Sequence, residues 1–188
     1  MSSTTPRKRK ASRRKPPPPP PRLVPWPVVV LAIDPGLTSG WALWAAGKYV
    51  DSGEVDALDP AAVARVVSGA MLTAELASMP AVLVYERSWS QRSLGPTRPI
   101  WKAAWKAGGG VQKYVVGFYP ATWRARVLEK GMHAAPTDVV RRAEQRTAAR
   151  IARRRVGVDE APAVCMGQCG CHAGEVGAVL PQKIREAA

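Results

Sequence analysis

Val28-Val29-Val30-Leu31-Ala32-Ile33-Asp34-Pro35-Gly36 is the stretch on which the fold turns. Six apolar residues in a row, four of them β-branched, are too few for a helix of ordinary length. They read as a strand buried on both faces. Asp-Pro-Gly then ends the run as a turn. A charged residue closing a fully buried strand is costly unless it is paired or bound to a cation, so Asp34 calls for an explanation.

The stretches that follow predict what this strand pairs with. Gly40 to Ala46 and Lys48 to Val55 read as two further strands, separated by a tight turn at Ala46-Gly47. Together with the first they suggest an antiparallel meander. Asp59-Pro60 opens a helix, with Asp at the N-cap and Pro at the first helical position. Val63, Val66, Val67, Ala70, Met71 and Ala74 recur at helical spacing along it, and Pro80 closes the segment. Ala81 to Tyr85 is a second short apolar run, and Glu86 ends it. A helix around Ile100 to Ala107, a fifth strand over Tyr114 to Tyr119, and helices at Ala121–Glu129, Thr137–Arg153 and Asp159–Cys169 complete the order. The expected class is α/β, a mixed five-stranded sheet flanked by helices.

The chain has 188 residues, with 28 Lys and Arg against 14 Asp and Glu, a formal net charge of +14. That excess argues for a polyanionic partner, nucleic acid being the commonest. Residues 1–22 hold eight of the basic residues, no acidic ones, and the proline run Pro16 to Pro21. This segment reads as a disordered basic tail on a semi-rigid spacer, and 23–188 as the folded domain. The tail has three readings: plain solvation, non-specific attraction to phosphates, or an import signal in Arg7–Lys10. No apolar run approaches the ~18 residues of a membrane span. The charged start with no apolar segment after it argues against secretion, and its prolines argue against an organelle transit helix. Three cysteines within seven residues suit a reducing compartment. A cytoplasmic location, in a bacterium or a phage-infected host and close to the nucleoid, is the expectation.

The acids carry the chemical argument. If the first and fourth strands are parallel neighbours, Asp34 and Glu86 stand side by side at the sheet edge where α/β proteins bind ligands. Asp159, in Val156-Gly157-Val158-Asp159-Glu160-Ala161, starts a late helix and either caps it or faces the same spot. Three acids without a nearby histidine or cysteine make a hard oxygen site, which suits Mg²⁺ or Mn²⁺ and not zinc. Combined with a basic surface, such a site points to phosphodiester hydrolysis with two divalent ions. Each acid also has an ordinary reading as a helix cap or a surface charge.

Val30-Leu31-Ala32-Ile33-Asp34-Pro35-Gly36-Leu37-Thr38-Ser39-Gly40-Trp41-Ala42 resembles the first motif of the RuvC-type Holliday-junction resolvases, members of the RNase H-like superfamily. Val82-Leu83-Val84-Tyr85-Glu86 resembles their second, and Pro120-Ala121-Thr122-Trp123-Arg124 is similar to a segment of phage-type members. Asp159-Glu160-Ala161-Pro162-Ala163-Val164-Cys165-Met166-Gly167 resembles their final acidic helix. The resemblance spans about 28 to 170 and keeps the family's motif order. It implies an RNase H-like fold and a homodimeric crossover-junction endodeoxyribonuclease. Its two Mg²⁺ per site, replaceable by Mn²⁺, would be held by Asp34, Glu86 and Asp159, with no small-molecule cofactor. One position departs: the family often carries a second acid where Pro162 stands, so Glu160 is a further metal-ligand candidate. Two alternatives remain open. One is an inactive DNA-binding relative; the other is a phosphate-binding fold of the actin-like or sugar-kinase kind, which resembles Asp34-x-Gly-x-Thr but needs a longer chain.

Candidate DNA contacts are Trp89, Lys102, Lys106, Arg124, Arg141 and Arg142. Trp89 covers the core edge or, as the resemblance implies, wedges into a junction. Trp101 and Trp105, four residues apart, are either core or a dimer interface beside the Lys102/Lys106 stripe. The spacing of Cys165, Cys169, Cys171 and His172 is not that of a standard zinc site, and Cys165 and Cys169 fit a buried helix face. Deleting residues 1–22 is expected to leave nicking intact and flatten the salt dependence of DNA binding, by about 0.9 in log–log slope for each duplex phosphate that the tail neutralises. A salt titration of the truncated protein checks this, and an unchanged slope would remove the tail from DNA binding.

Overall fold

The computed structural model describes residues 25–87, 97–132 and 135–186. The basic tail and Trp89 therefore lie outside the described residues. Five strands form one mixed sheet in the order β3-β2-β1-β4-β5: β1 Val29–Asp34, β2 Thr38–Ala45, β3 Lys48–Asp56, β4 Ala81–Glu86 and β5 Val115–Phe118. β1, β2 and β3 are the antiparallel meander expected from the tight turns. β1 and β4 run parallel, with Val29 opposite Ala81 and Ile33 opposite Tyr85, and β5 runs parallel to β4.

Alternation along these strands divides the core in two. Val28, Val30 and Ala32, with Val82 and Val84, face one layer; Val29, Leu31 and Ile33, with Leu83 and Tyr85, face the other. The second layer is built from α1 (Pro60–Leu76) and α2 (Thr97–Ala107). Asp59 caps α1 as anticipated, accepting from the Ala61 and Ala62 amides. The first layer holds α3 (Pro120–Val127), α4 (Thr137–Ala152) and α5 (Glu160–His172), followed by the short helices α6 (Gly174–Val179) and α7 (Gln182–Glu186). Helices of six and five residues are too short for periodicity to reveal, so these last two were not anticipated.

α5 is the helix on which the first layer rests. Nearly all of it is buried between the sheet and the helices α3 and α4. Two glycines allow that approach. A Cβ at Gly167 would lie 2.3 Å from Trp44 Nε1, and one at Gly170 would lie 3.3 Å from Val30 and Val84. Trp101 and Trp105 are 2% and 0% exposed and pack against Val63, Val67 and Leu31, so the aromatic stripe on α2 is core and not a subunit interface. Among the described residues no helix is long and apolar enough to cross a membrane.

Gly167→Ala is expected to cost about 1–3 kcal/mol, because the new methyl group must displace a buried tryptophan edge. Gly174→Ala, where the methyl group meets nothing within 4 Å, is expected to be close to neutral. Urea denaturation of the two variants provides the comparison.

Candidate active site

Alternation along the parallel pair decides where the first two acids point. Asp34 continues the row Val28-Val30-Ala32, and Glu86 continues the row Val82-Val84. Both therefore leave the sheet on the α5 side, at the carboxyl ends of adjacent strands. Asp159 is brought to them by a third contact. Gly40 pairs with Asp34 across β1 and β2, and a Cβ on Gly40 would stand 1.7 Å from the Asp159 carbonyl oxygen. Only a glycine lets the start of α5 come this close to β2.

Asp159 occupies the N-cap position of α5, yet its side chain makes no capping hydrogen bond. Glu54 of β3 does that work, its Oε1 accepting from the Asp159 and Glu160 amides at 3.2 and 3.3 Å. Asp34, Glu86 and Asp159 all line one cavity of about 260 Å³, together with Arg124, Arg141, Glu144 and Pro162. Trp123 Nε1 donates to Glu86 Oε2 at 3.0 Å. The loop after Asp34 is held by Ser39, whose Oγ donates to the Gly36 carbonyl at 2.9 Å and accepts from Trp101 Nε1 at 3.1 Å.

Glu144 was not anticipated. It lies in Thr137-Asp138-Val139-Val140-Arg141-Arg142-Ala143-Glu144, a segment that reads as a basic helix either contacting phosphate or solvated. One signal was present: Val140, Ala143 and Ala148 mark the buried stripe of α4, and Glu144 is the single acid on it. Its carboxylate is 2% exposed and accepts from Arg124 Nε at 2.6 Å.

Glu160 goes elsewhere. It is buried away from the cavity, bonded to Ser52 Oγ and Arg154, and it accepts from the Gly157 amide at 3.1 Å. Burial opposes its ionisation, but these partners outweigh burial and hold its carboxyl below the usual range. Among the proposed DNA contacts, Arg124 and Arg141 reach the cavity. Arg142 pairs with Asp138 at 2.7 Å. Lys102 and Lys106 are on α2, against the opposite face of the sheet, where Lys102 stands 5.1 Å from the Tyr85 ring. Cys165, Cys169 and Cys171 are buried and free, and burial pushes their thiols up, opposite to what a metal-binding thiolate needs.

The cavity is electrostatically crowded. Burial, then the charges of Glu86, Glu144 and Asp159, push Asp34 up to about 8, against a smaller lowering by Arg124. Burial also raises Glu86, opposed by Arg124 and by the Trp123 hydrogen bond. Glu144 is raised by burial against the pull of Arg124 and Arg141. An all-oxygen donor set whose members repel one another fits a hard divalent cation, and Asp34, Glu86 and Asp159 are the residues that would hold it. Among the described residues no three such side chains already converge as a finished metal cluster. The fit is one of charge and donor chemistry.

Another pocket, about 640 Å³, lies beside α3 and the end of α5 and is lined by Arg126, Gln168, Cys169 and His172, apart from these acids.

Sheet order and helix layers form an α/β fold that matches the RuvC kind. The chain is similar in structure to T. thermophilus RuvC, solved in complex with a Holliday junction substrate. The TM-score is 0.55 at 13% sequence identity, and the match covers 80% of this chain and 96% of that one. No family model matches the sequence, and no curated protein does.

Asp34 gives the site a pH signature. Its folded-state value lies well above the ordinary 3.8. Between that value and about 8 the folded chain holds a proton that the unfolded chain has released, so stability falls as pH rises through this window. In chelator, the wild-type melting temperature is expected to decline from about pH 5 to about pH 8.5. Asp34→Asn should flatten that decline and melt higher at the alkaline end. A wild-type melting temperature that climbs across the window would contradict the assignment.

Proposed function

We propose that this protein is a metal-dependent endonuclease that cuts four-way or branched DNA junctions. The observation that carries the reading is the meeting of Asp34, Glu86 and Asp159 on one cavity, at the carboxyl ends of β1 and β4, within a RuvC-like fold. The junction-bound state of the T. thermophilus RuvC structure supports the choice of substrate. The net charge of +14 supports a nucleic-acid partner.

When bound, Mg²⁺ or Mn²⁺ would supply activation of the attacking water and stabilisation of the leaving oxygen. The chain's own residues account for the rest. Asp34, Glu86 and Asp159 hold the charge that binds the cations. Trp123 fixes the orientation of Glu86 through its indole N–H. Arg141, exposed at the cavity wall, is placed to meet a phosphate of the entering strand. Two copies related by a two-fold axis would match the symmetry of a four-way junction.

Asp34→Asn keeps the shape of the side chain and removes its charge. Nicking of a labelled four-way junction is expected to fall by several orders of magnitude. Junction binding in Ca²⁺ should persist or tighten, because one fewer negative charge then faces the phosphates. Glu86→Gln and Asp159→Asn should behave alike, and chelator should abolish cleavage by the wild type. Near-normal cleavage by Asp34→Asn would overturn the site. A wild-type protein that binds junctions without cutting them would instead identify a non-catalytic DNA-binding relative.

A further inference from the structure

We infer that Glu144 is the fourth carboxylate of this cation site, and that Arg124 is a resident counter-charge which the cation displaces from it. The inference rests on the nuclease reading above and extends it to a residue on a different helix.

Glu144 is 2% exposed, on the buried stripe of α4 between Ala143 and Ala148. A carboxylate so placed is expensive to keep ionised and is ordinarily matched by several donors. Arg124 meets it through Nε. That guanidinium also lies 5.1 Å from the ring of its neighbour Trp123, which in turn donates to Glu86. Consecutive residues of α3 thus hold two of the cavity's four acids, Trp123 the one on β4 and Arg124 the one on α4.

Among the described residues, the charges around the cavity do not balance. Asp34, Glu86, Glu144 and Asp159 face it, against Arg124 and Arg141. Pro162, on the first turn of α5, occupies another part of the wall and brings no carboxylate. Glu144 adds from α4 the negative charge that α5 lacks at that point. Since Glu144 and Arg124 share the wall with Asp34 and Glu86, a cation entering among the carboxylates meets Arg124 as a competitor for them. Arg124, partly exposed on the cavity wall, would then be free to face phosphate.

A purely structural ion pair between α3 and α4 predicts something different. Removing either partner would then lower stability in the same direction and leave cation binding alone. Displacement predicts opposite signs. Mn²⁺ uptake, followed by the electron paramagnetic resonance of the free ion, separates the two. Glu144→Gln should weaken Mn²⁺ binding by roughly 10-fold or more, the scale typical for residues that support a metal site. Glu144→Asp, which keeps the charge, should recover most of that affinity. Arg124→Gln should bind Mn²⁺ several-fold more tightly than the wild type. Glu175→Gln, which removes a carboxylate paired with Arg126 outside the cavity, should bind like the wild type.

Circular dichroism identifies any variant that fails to fold, and Arg124→Gln decides the matter by itself if Glu144→Gln does. Wild-type affinity in Arg124→Gln, or weaker binding there, overturns the inference while the nuclease reading stands. A wild-type protein with no saturable Mn²⁺ uptake overturns both.

Discussion

The parallel pairing of β1 with β4 is the constraint from which the rest of the molecule follows. Each strand is a short apolar run buried on both faces, and each ends in an acid. Aligning them in parallel sends Asp34 and Glu86 out of the sheet at the same end and on the same side. An antiparallel pairing would have placed them at opposite ends. Two carboxylates that emerge together from a dry sheet are poorly solvated and repel each other, which is why Asp34 is driven up to about 8.

α5 converts that pair into a cavity. Its close seat on the sheet depends on residues that offer no side chain: Gly40 against the start of the helix, Gly167 against Trp44, Gly170 against Val30 and Val84. The start of α5 is capped from β3 by Glu54, so Asp159 is not consumed in capping its own helix. Glu160, one residue on, is consumed, by Arg154, Ser52 and the Gly157 amide. Adjacent acids at one helix start thus have different fates. The burial and donors around each decide which one faces the cavity.

Much of this architecture was legible in the chain itself. Short β-branched runs, tight turns and the Asp59-Pro60 helix start are local features with local causes, and the strands and α1 appear where those features place them. The two strand-ending acids stood out because burial makes a terminal charge conspicuous. Glu144 did not stand out, because α4 carries so many arginines that its single buried acid looks like a surface partner for one of them. Its place on the apolar stripe was the available clue. Trp101 and Trp105 were open to two readings, since an apolar stripe looks the same whether it meets a core or another subunit; packing against Val63, Val67 and Leu31 chose the core.

The sequence by itself determined the strands, the start of α1, the basic charge and the identity of three candidate acids, because each depends on neighbours along the chain. Tertiary structure alone decided that Asp159 faces the cavity while Glu160 does not, and that Glu144 joins it from another helix with Arg124 as its partner. Those choices depend on which elements pack together and how closely. Side chains from Asp34 near the start of the fold to Pro162 near its end share one small volume there, and no local pattern encodes the distance between them.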